Sequence, residues 1–461
     1  MSPRILHYSD LETALDDPEQ AAALAGTVAA RRDGRTVVVG SGDNTAPGAL
    51  SLATEGRAAL DVFRALAPDA DTFGNHDFDF GPATARDLAA AAPQPWLCAN
   101  AAQDGERFAA DATRPSTLVD AGGTPVGIVG VAHPKTDEIN PAADPVEFSD
   151  PVPVVREEAA ALRDAGAEHV VVVSHCGRGD ARIARGTDVD AVLGGHVHDV
   201  HTDVIDGTAV VRPGRAGTHV SEVALGGAPS VTIHEVDDSH VDDVLAERLR
   251  EHMAEHGLDE VVATVEHPIE RTEETATVAE SRVGNLVADA LRWRADADVA
   301  LSPPGAIRAG PPLAGDVTVA QLHNLTPYED DLAVVELPGD RLREAFVAVP
   351  FGYHDEDHPD RFCSHVSGAH VVWDDEAGTL REATVDGEPI DPDRQYTVAV
   401  ADYLVETDHV TAAFDEDDVA ARHGIAREAV VEYARAVGLD PSIEGRVERP
   451  TLAAAESAVP E

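Results

Sequence analysis

Five short apolar runs in the first 200 residues each end in side chains that bind metal ions or move protons. Ile5–Tyr8 leads into Asp10 and Glu12, and Thr36–Val39 leads into Asp43 and Asn44. Ala70–Phe73 leads into Asn75, His76, Asp77 and Asp79; Val170–Val173 leads into His175; Ala191–Leu193 leads into His196 and His198. Mixed carboxylate, amide and imidazole donors suit borderline divalent ions such as Mn²⁺, Fe²⁺, Zn²⁺ or Co²⁺. A lone Asp or His after a strand is usually a turn or a satisfied structural residue. Five such ends in order predict a shared metal centre.

The elements that must position these groups are strands alternating with helices. The apolar runs, with Val126–Val131, read as buried strands. Between the first two, Asp17-Pro18 opens an alanine-rich stretch that Gly34 closes, an N-cap and a glycine stop around one helix. The expectation is an α/β (α+β) fold. In open α/β sheets ligands gather beyond the carboxyl ends of the strands, where the candidate residues fall. We expect a first domain over 1–236, a linker helix over 237–260, a second α/β domain over 261–450 and a frayed tail over 451–461. Val241, Val244, Leu245, Leu249 and Met253 supply the apolar spacing of the linker helix.

Composition narrows the setting. The 461 residues carry 34 basic and 85 acidic side chains, a net charge of −51, and Lys135 is the single lysine. Acids spread along a whole chain, rather than gathered in a tail, point to a high-salt cytoplasm, where self-repulsion is screened. The same charge argues against binding a nucleic-acid duplex. Cys98, Cys176 and Cys363 are odd in number and far apart, which argues against a disulfide framework. With no apolar leader and no run of about 20 apolar residues, the expectation is a cytoplasmic protein without a membrane span, monomer or homodimer.

The order of motifs resembles that of the calcineurin-like metallophosphoesterases: Asp10-x-Glu12, Gly42-Asp43, Gly74-Asn75-His76-Asp77, His175 and Gly195-His196-x-His198. Gly74 through Gly81 resembles the 5′-nucleotidase branch in particular. Val283 through Ala290, Val366-Ser367-Gly368 and Tyr396 through Ala399 resemble landmarks of its C-terminal domain. The resemblance implies a sandwich of sheets flanked by helices, followed by an α/β substrate-binding domain. It implies two divalent ions (Mn²⁺, Zn²⁺, Fe²⁺, Co²⁺ or Mg²⁺), one on Asp10, Glu12, Asp43 and His198, the other on Asp43, Asn75, His175 and His196. Glu12 stands where the family has histidine, a harder ligand that favours Mn²⁺ or Mg²⁺. His76 is the implied catalytic group and Asp79 its partner. In the second domain Arg308, Tyr328 and Tyr403 match phosphate- and base-binding positions. Asp408 lies in Glu406–His409, which replaces a glycine-rich segment of the family.

The implied reaction is hydrolysis of a 5′-nucleotide to nucleoside and phosphate, by in-line attack of a metal-bound hydroxide. The alternatives are a phosphodiesterase, such as one for 2′,3′-cyclic nucleotides, and a metal-containing nucleotide sensor without turnover. The His76–Asp79 pair argues against the sensor, which has no need of it. His133, Arg178, His201 and His219 read as rim or structural residues, and Cys176 as a packed small side chain.

Overall fold

The computed structural model describes residues 2–303, 305–351, 364–374, 377–407 and 411–450. It divides into two compact units, Met1–His256 and Gly257–Glu461. Asp408 and Cys363 lie outside the described residues.

The first unit is built on valine-rich strands. They are Arg4–Tyr8 (β1), Thr36–Gly40 (β2), Asp71–Thr72 (β3), Ser116–Asp120 (β4), Pro125–Ala132 (β5) and His169–His175 (β6), then Ala191–Gly194 (β7), Val200–Ile205 (β8), Thr208–Pro213 (β9), His219–Ala224 (β10) and Ser230–Glu235 (β11). One sheet runs β11-β10-β1-β2 and a second runs β8-β9-β7-β6-β5-β4. In the second sheet β9, β7, β6 and β5 are parallel, and β8 and β4 close the edges antiparallel. Of the expected strand 70–73, only Asp71–Thr72 enters a ladder, while Ala70 bridges Val39.

The two sheets form a sandwich. Ile5, Val37, Val39, Ile128, Val171, Val173, Leu193 and Val211 fill the space between them. The alternate residues Val170, Val172 and Val192 face the other way, with Val155, Leu162 and Ile183. These last come from helices Pro151–Asp164 and Asp180–Gly186. The central strands are buried on both faces, which is why they read as continuous apolar runs without polar alternation. Full burial of each such side chain contributes about 1.5–3 kcal/mol.

Helix α1 (Pro18–Arg31) starts as its sequence predicts: the Asp17 side chain accepts from the Gln20 amide and Pro18 opens the first turn. Helix α2 is Ala59–Leu66. The helix expected within 237–260 is Asp243–Glu255 (α3), capped by Asp242, and it belongs to the first unit. Its Leu245, Leu249 and Met253 are buried, and Asp242 N–H donates to Ala22 O on α1. Val241 and Val244, counted in the apolar stripe, are instead exposed: Val241 precedes the Asp242 cap, and Val244, in the first turn, lies off the face that buries Leu245, Leu249 and Met253.

The second unit centres on a five-stranded sheet: Val299–Ser302 (β12), Asp331–Pro338 (β13), His365–Ser367 (β14), Gln395–Ala401 (β15) and Val419–Ile425 (β16). Their order is β14-β12-β15-β13-β16. One face packs on Leu342, Phe346, Val371 and Trp373. Helix Arg282–Ala295 (α4), capped by Ser281, buries Val283, Leu286, Val287 and Leu291. Both units are therefore mixed α/β. No helix among the described residues is long and apolar enough to cross a membrane.

Candidate metal centre

The carboxyl ends of β1, β2, β6 and β7 deliver their polar residues to one buried cluster. Asp10 N–H donates to Gly42 O, Glu12 N–H to Asp43 O, Gly195 N–H to Ser174 O and His196 N–H to Asp10 Oδ1, so the four loops are tied to one another. Asp10, Glu12, Asp43 and His196 all have positive φ, between 46° and 72°. Non-glycine residues rarely adopt this conformation, and it concentrates at functional sites, where the surrounding contacts hold it. Gly42 has φ 92°, and a Cβ there would lie 2.6 Å from His175 Nδ1. A Cβ on Gly74 would collide with Asp43 Oδ1.

Three groups of side chains converge: Asp43 with His175 and His196; Asp10 with Glu12 and His198; Glu12 with Asp43 and His76. His175 Nε2 lies 3.0 Å from Asp43 Oδ2 and 4.0 Å from Asp10 Oδ1. His198 Nε2 lies 3.2 Å from Glu12 Oε1 and 3.8 Å from Asp10 Oδ1. His196 Nδ1 lies 2.9 Å from Asn75 Oδ1. His175 Nδ1 donates to Ser41 O at 2.7 Å, which leaves Nε2 aimed at the carboxylates. That buried Nε2 has no aligned hydrogen bond, as a ligand atom would not.

Electrostatics agree with a site short of positive charge. Burial, with Asp43 and Glu12 close by, pushes Asp10 up to about 7. Burial opposes a charged His175, yet Asp43 and then Asp10 push it up to about 10. Burial also opposes ionised Asp43, but His175 and His76 hold it below the usual carboxylate range. The buried Asp/His clusters therefore fit a divalent metal site: the donors are of the right types, and a cation would replace the shared protons.

His76 stands beside this cluster. Its backbone N–H donates to Asp43 Oδ1 at 2.7 Å, and its Nδ1 lies 3.0 Å from Asp79 Oδ1. The sequence-derived ligands Asp10, Glu12, Asp43, Asn75, His175, His196 and His198 thus come together with His76 and Asp79. Three bracing residues were not singled out for this role. Asp77, two residues from Asn75, is buried and accepts from the backbone N–H groups of Asp43, Asn44, Thr45 and Gly74. Asn140 donates to Asp79 Oδ1 and to Asn75 O, both at 2.8 Å. His133, taken as a rim residue, stacks on His196 with centroids 5.2 Å apart. Asp77 lies inside the motif and was legible there; Asn140 carries no local signal. Arg178 is exposed, and Cys176 is buried with its thiol donating to Ala132 O.

In the second unit the Arg308 guanidinium lies 5.7 Å from the Tyr328 ring centroid. Tyr328 precedes β13 and Tyr403 follows β15; Asp402 N–H donates to Asp331 O, which joins the two loops at one sheet end. Tyr403 also packs partly against the core.

A two-sheet sandwich carries carboxylates and imidazoles on its strand ends in groups that fit a metal site, and residues 3–200 match the calcineurin-like phosphoesterase family. Residues 261–416 match the 5′-nucleotidase C-terminal domain, so the chain belongs to the calcineurin-like phosphoesterases that carry this second domain. It is a phosphoric ester hydrolase by family. Its fold resembles that of the 5′-nucleotidase precursor from Thermus thermophilus, with TM-score 0.83, 23% identity, and 97% of this chain and 99% of that one covered. It is 26% identical over 413 residues to an apyrase from Aedes albopictus, covering 76% of this chain and 71% of the apyrase. It is 26% identical over 386 residues to endonuclease YhcR of Bacillus subtilis, covering 75% of this chain but only 31% of that protein.

Proposed function

We propose that the first unit holds two divalent ions and that the protein hydrolyses 5′-nucleotides to nucleoside and phosphate. Asp10, Glu12, Asp43 and His198 would hold one ion, and Asp43, Asn75, His175 and His196 the other. Asp43 would contribute to both: it groups with His175 and His196, and separately with Glu12 and His76. Bound there, such ions polarise phosphoryl oxygens and activate water at neutral pH.

The observation that carries the reading is His76, braced by Asp79 beside the Asp43 carboxylate. With Nδ1–H donated to Asp79, Nε2 would be the nitrogen that steadies developing charge or protonates the leaving oxygen. Asn140 holds Asp79 in turn, so the ring orientation is set before substrate arrives. Arg308 supplies a cation for phosphate, and Tyr328 and Tyr403 supply faces for a base. The names of the relatives, a nucleotidase and an apyrase, support a nucleotide substrate. Phosphodiester hydrolysis is the second reading, favoured by the likeness to an endonuclease.

Phosphate release from mononucleotides, and ring opening of 2′,3′-cyclic nucleotides to nucleoside monophosphates followed by chromatography, are measured with Mn²⁺ in molar KCl and again after exhaustive chelation. Mononucleotide turnover that disappears on chelation and returns with Mn²⁺ is expected. Turnover of cyclic nucleotides alone selects the second reading, and full activity after chelation overturns both.

A further inference from the structure

We infer that Arg215, on the loop between β9 and β10, is a phosphate-binding residue supplied by the first unit itself. The inference rests on the hydrolase reading above and adds to it a residue that no motif marks.

Arg215 stands beside His198, at the ring nitrogen opposite the Nε2 that faces Glu12 and Asp10. Its Nη1 lies 3.3 Å from His198 Nδ1, and its backbone is held in place. The next residue, Ala216, has φ 53°, and its N–H donates to the carbonyl of Asp10 at 2.8 Å. The Thr218 N–H and hydroxyl both donate to the Arg215 carbonyl. The loop is therefore clamped onto β1 at a candidate ligand, and the guanidinium projects from a fixed base.

Its partner is unusual in this chain. With 85 acidic residues available, many arginines here pair with carboxylates, as Arg4 does with Glu222, Arg212 with Asp199 and Arg250 with Glu19, and others with backbone carbonyls, as Arg156 does with Gly186 O. Among the described residues, the Arg215 guanidinium meets only the imidazole nitrogen of His198. A guanidinium presents five N–H donors, and one ring nitrogen engages a single one of them. The side chain is only half-buried.

The contact to His198 is also replaceable. An imidazole that gives Nε2 to a metal carries its hydrogen on Nδ1, and so offers Arg215 no lone pair. A neighbouring acceptor would then take the guanidinium, and the oxygens of a phosphoryl group at this centre match its planar fork. In a chain of net charge −51, a cation fixed beside the centre also offsets the repulsion that an anionic substrate meets.

The test compares wild type, Arg215→Gln and Arg215→Lys, each loaded with Mn²⁺ in molar KCl. Inorganic phosphate is titrated calorimetrically, and bound manganese is counted after desalting. The assignment expects phosphate affinity to fall roughly ten-fold or more in Arg215→Gln, with partial recovery in Arg215→Lys and unchanged manganese content. Equal phosphate affinity in wild type and Arg215→Gln overturns it while leaving the hydrolase reading intact. Phosphate affinity lost only in step with manganese also overturns it, making Arg215 a positioning residue for His198. A wild-type protein that holds manganese yet binds no phosphate overturns the assignment of Arg215, while the hydrolase reading stands or falls on turnover.

Discussion

Several groups of the candidate site are oriented by a second group before any ion arrives. Ser41 O holds His175 through Nδ1, and Ser9 donates to Asp10. Asp79 holds His76, and Asn140 holds Asp79. Such outer partners restrict rings and carboxylates to the geometry that function needs. A group that acts only as charge develops should show its effect in the maximal rate. His76→Ala is therefore expected to lower kcat by about 10²–10⁴-fold with a small change in KM, as steady-state kinetics on a mononucleotide would reveal. An unchanged kcat with a raised KM would reassign His76 to substrate binding.

The loops after β2 and β3 depend on buried carboxylates rather than on their own turn propensity. Asp77 gathers four backbone N–H groups and the Thr45 hydroxyl, with Asp43 at the centre of that set. Asp77→Ala strands those donors, at a cost of about 3 kcal/mol or more, and loosens the backbone that presents Asp43. Chemical denaturation should register the lost stability, and Mn²⁺ titration a weaker site. Asp71, on β3, receives the Tyr8 hydroxyl and the Asn44 amide. Burial, with Asp77 nearby, pushes Asp71 from an ordinary 3.8 up to about 7. The folded state thus favours the protonated form, so its stabilising contribution is full below about pH 4 and is lost as pH rises to 7. Asp71→Asn removes that loss. Its stability relative to wild type should climb between pH 4 and 7, then level off; a constant difference across the range would show that Asp71 does not titrate there.

For the whole molecule the governing number is the net charge of −51. Exposed arginines pair with acids, as Arg86 does with Asp111 and Arg422 with Asp402 and Glu416, but 34 cations leave most of the 85 acids unmatched. At molar salt the screening length is about 3 Å, which removes repulsion across the surface and leaves direct contacts intact. Melting temperature and turnover should therefore rise together as KCl goes from about 0.1 M towards about 1 M. A phosphatase that relied on long-range attraction to a basic pocket would lose substrate affinity over that range. Flat or falling curves for both quantities would show that the acidic surface is not an adaptation to salt.

The order of strands and ligands was readable because both are local. A valine run long enough for one strand, followed at once by Asp, Asn or His, occupies about ten residues, and backbone chemistry dictates that the polar group stands at the strand end. The cap at Asp17 and the positions from Asp10 to His198 follow from such short stretches. What tertiary structure alone decided is how those ends close on one another. Asn140 braces Asn75 and Asp79 from more than 60 residues away, and Arg215 reaches His198 across the turn after β9. The left-handed backbone at Asp10, Glu12, Asp43 and His196 is likewise imposed by the neighbouring loops, since the intrinsic preference of these residues opposes it. Val241 and Val244 show the same limit: their spacing fits a buried stripe, yet only the docking of Leu245, Leu249 and Met253 determined which side faced the protein. Periodicity specifies which side chains share a face, and long-range packing specifies what that face meets.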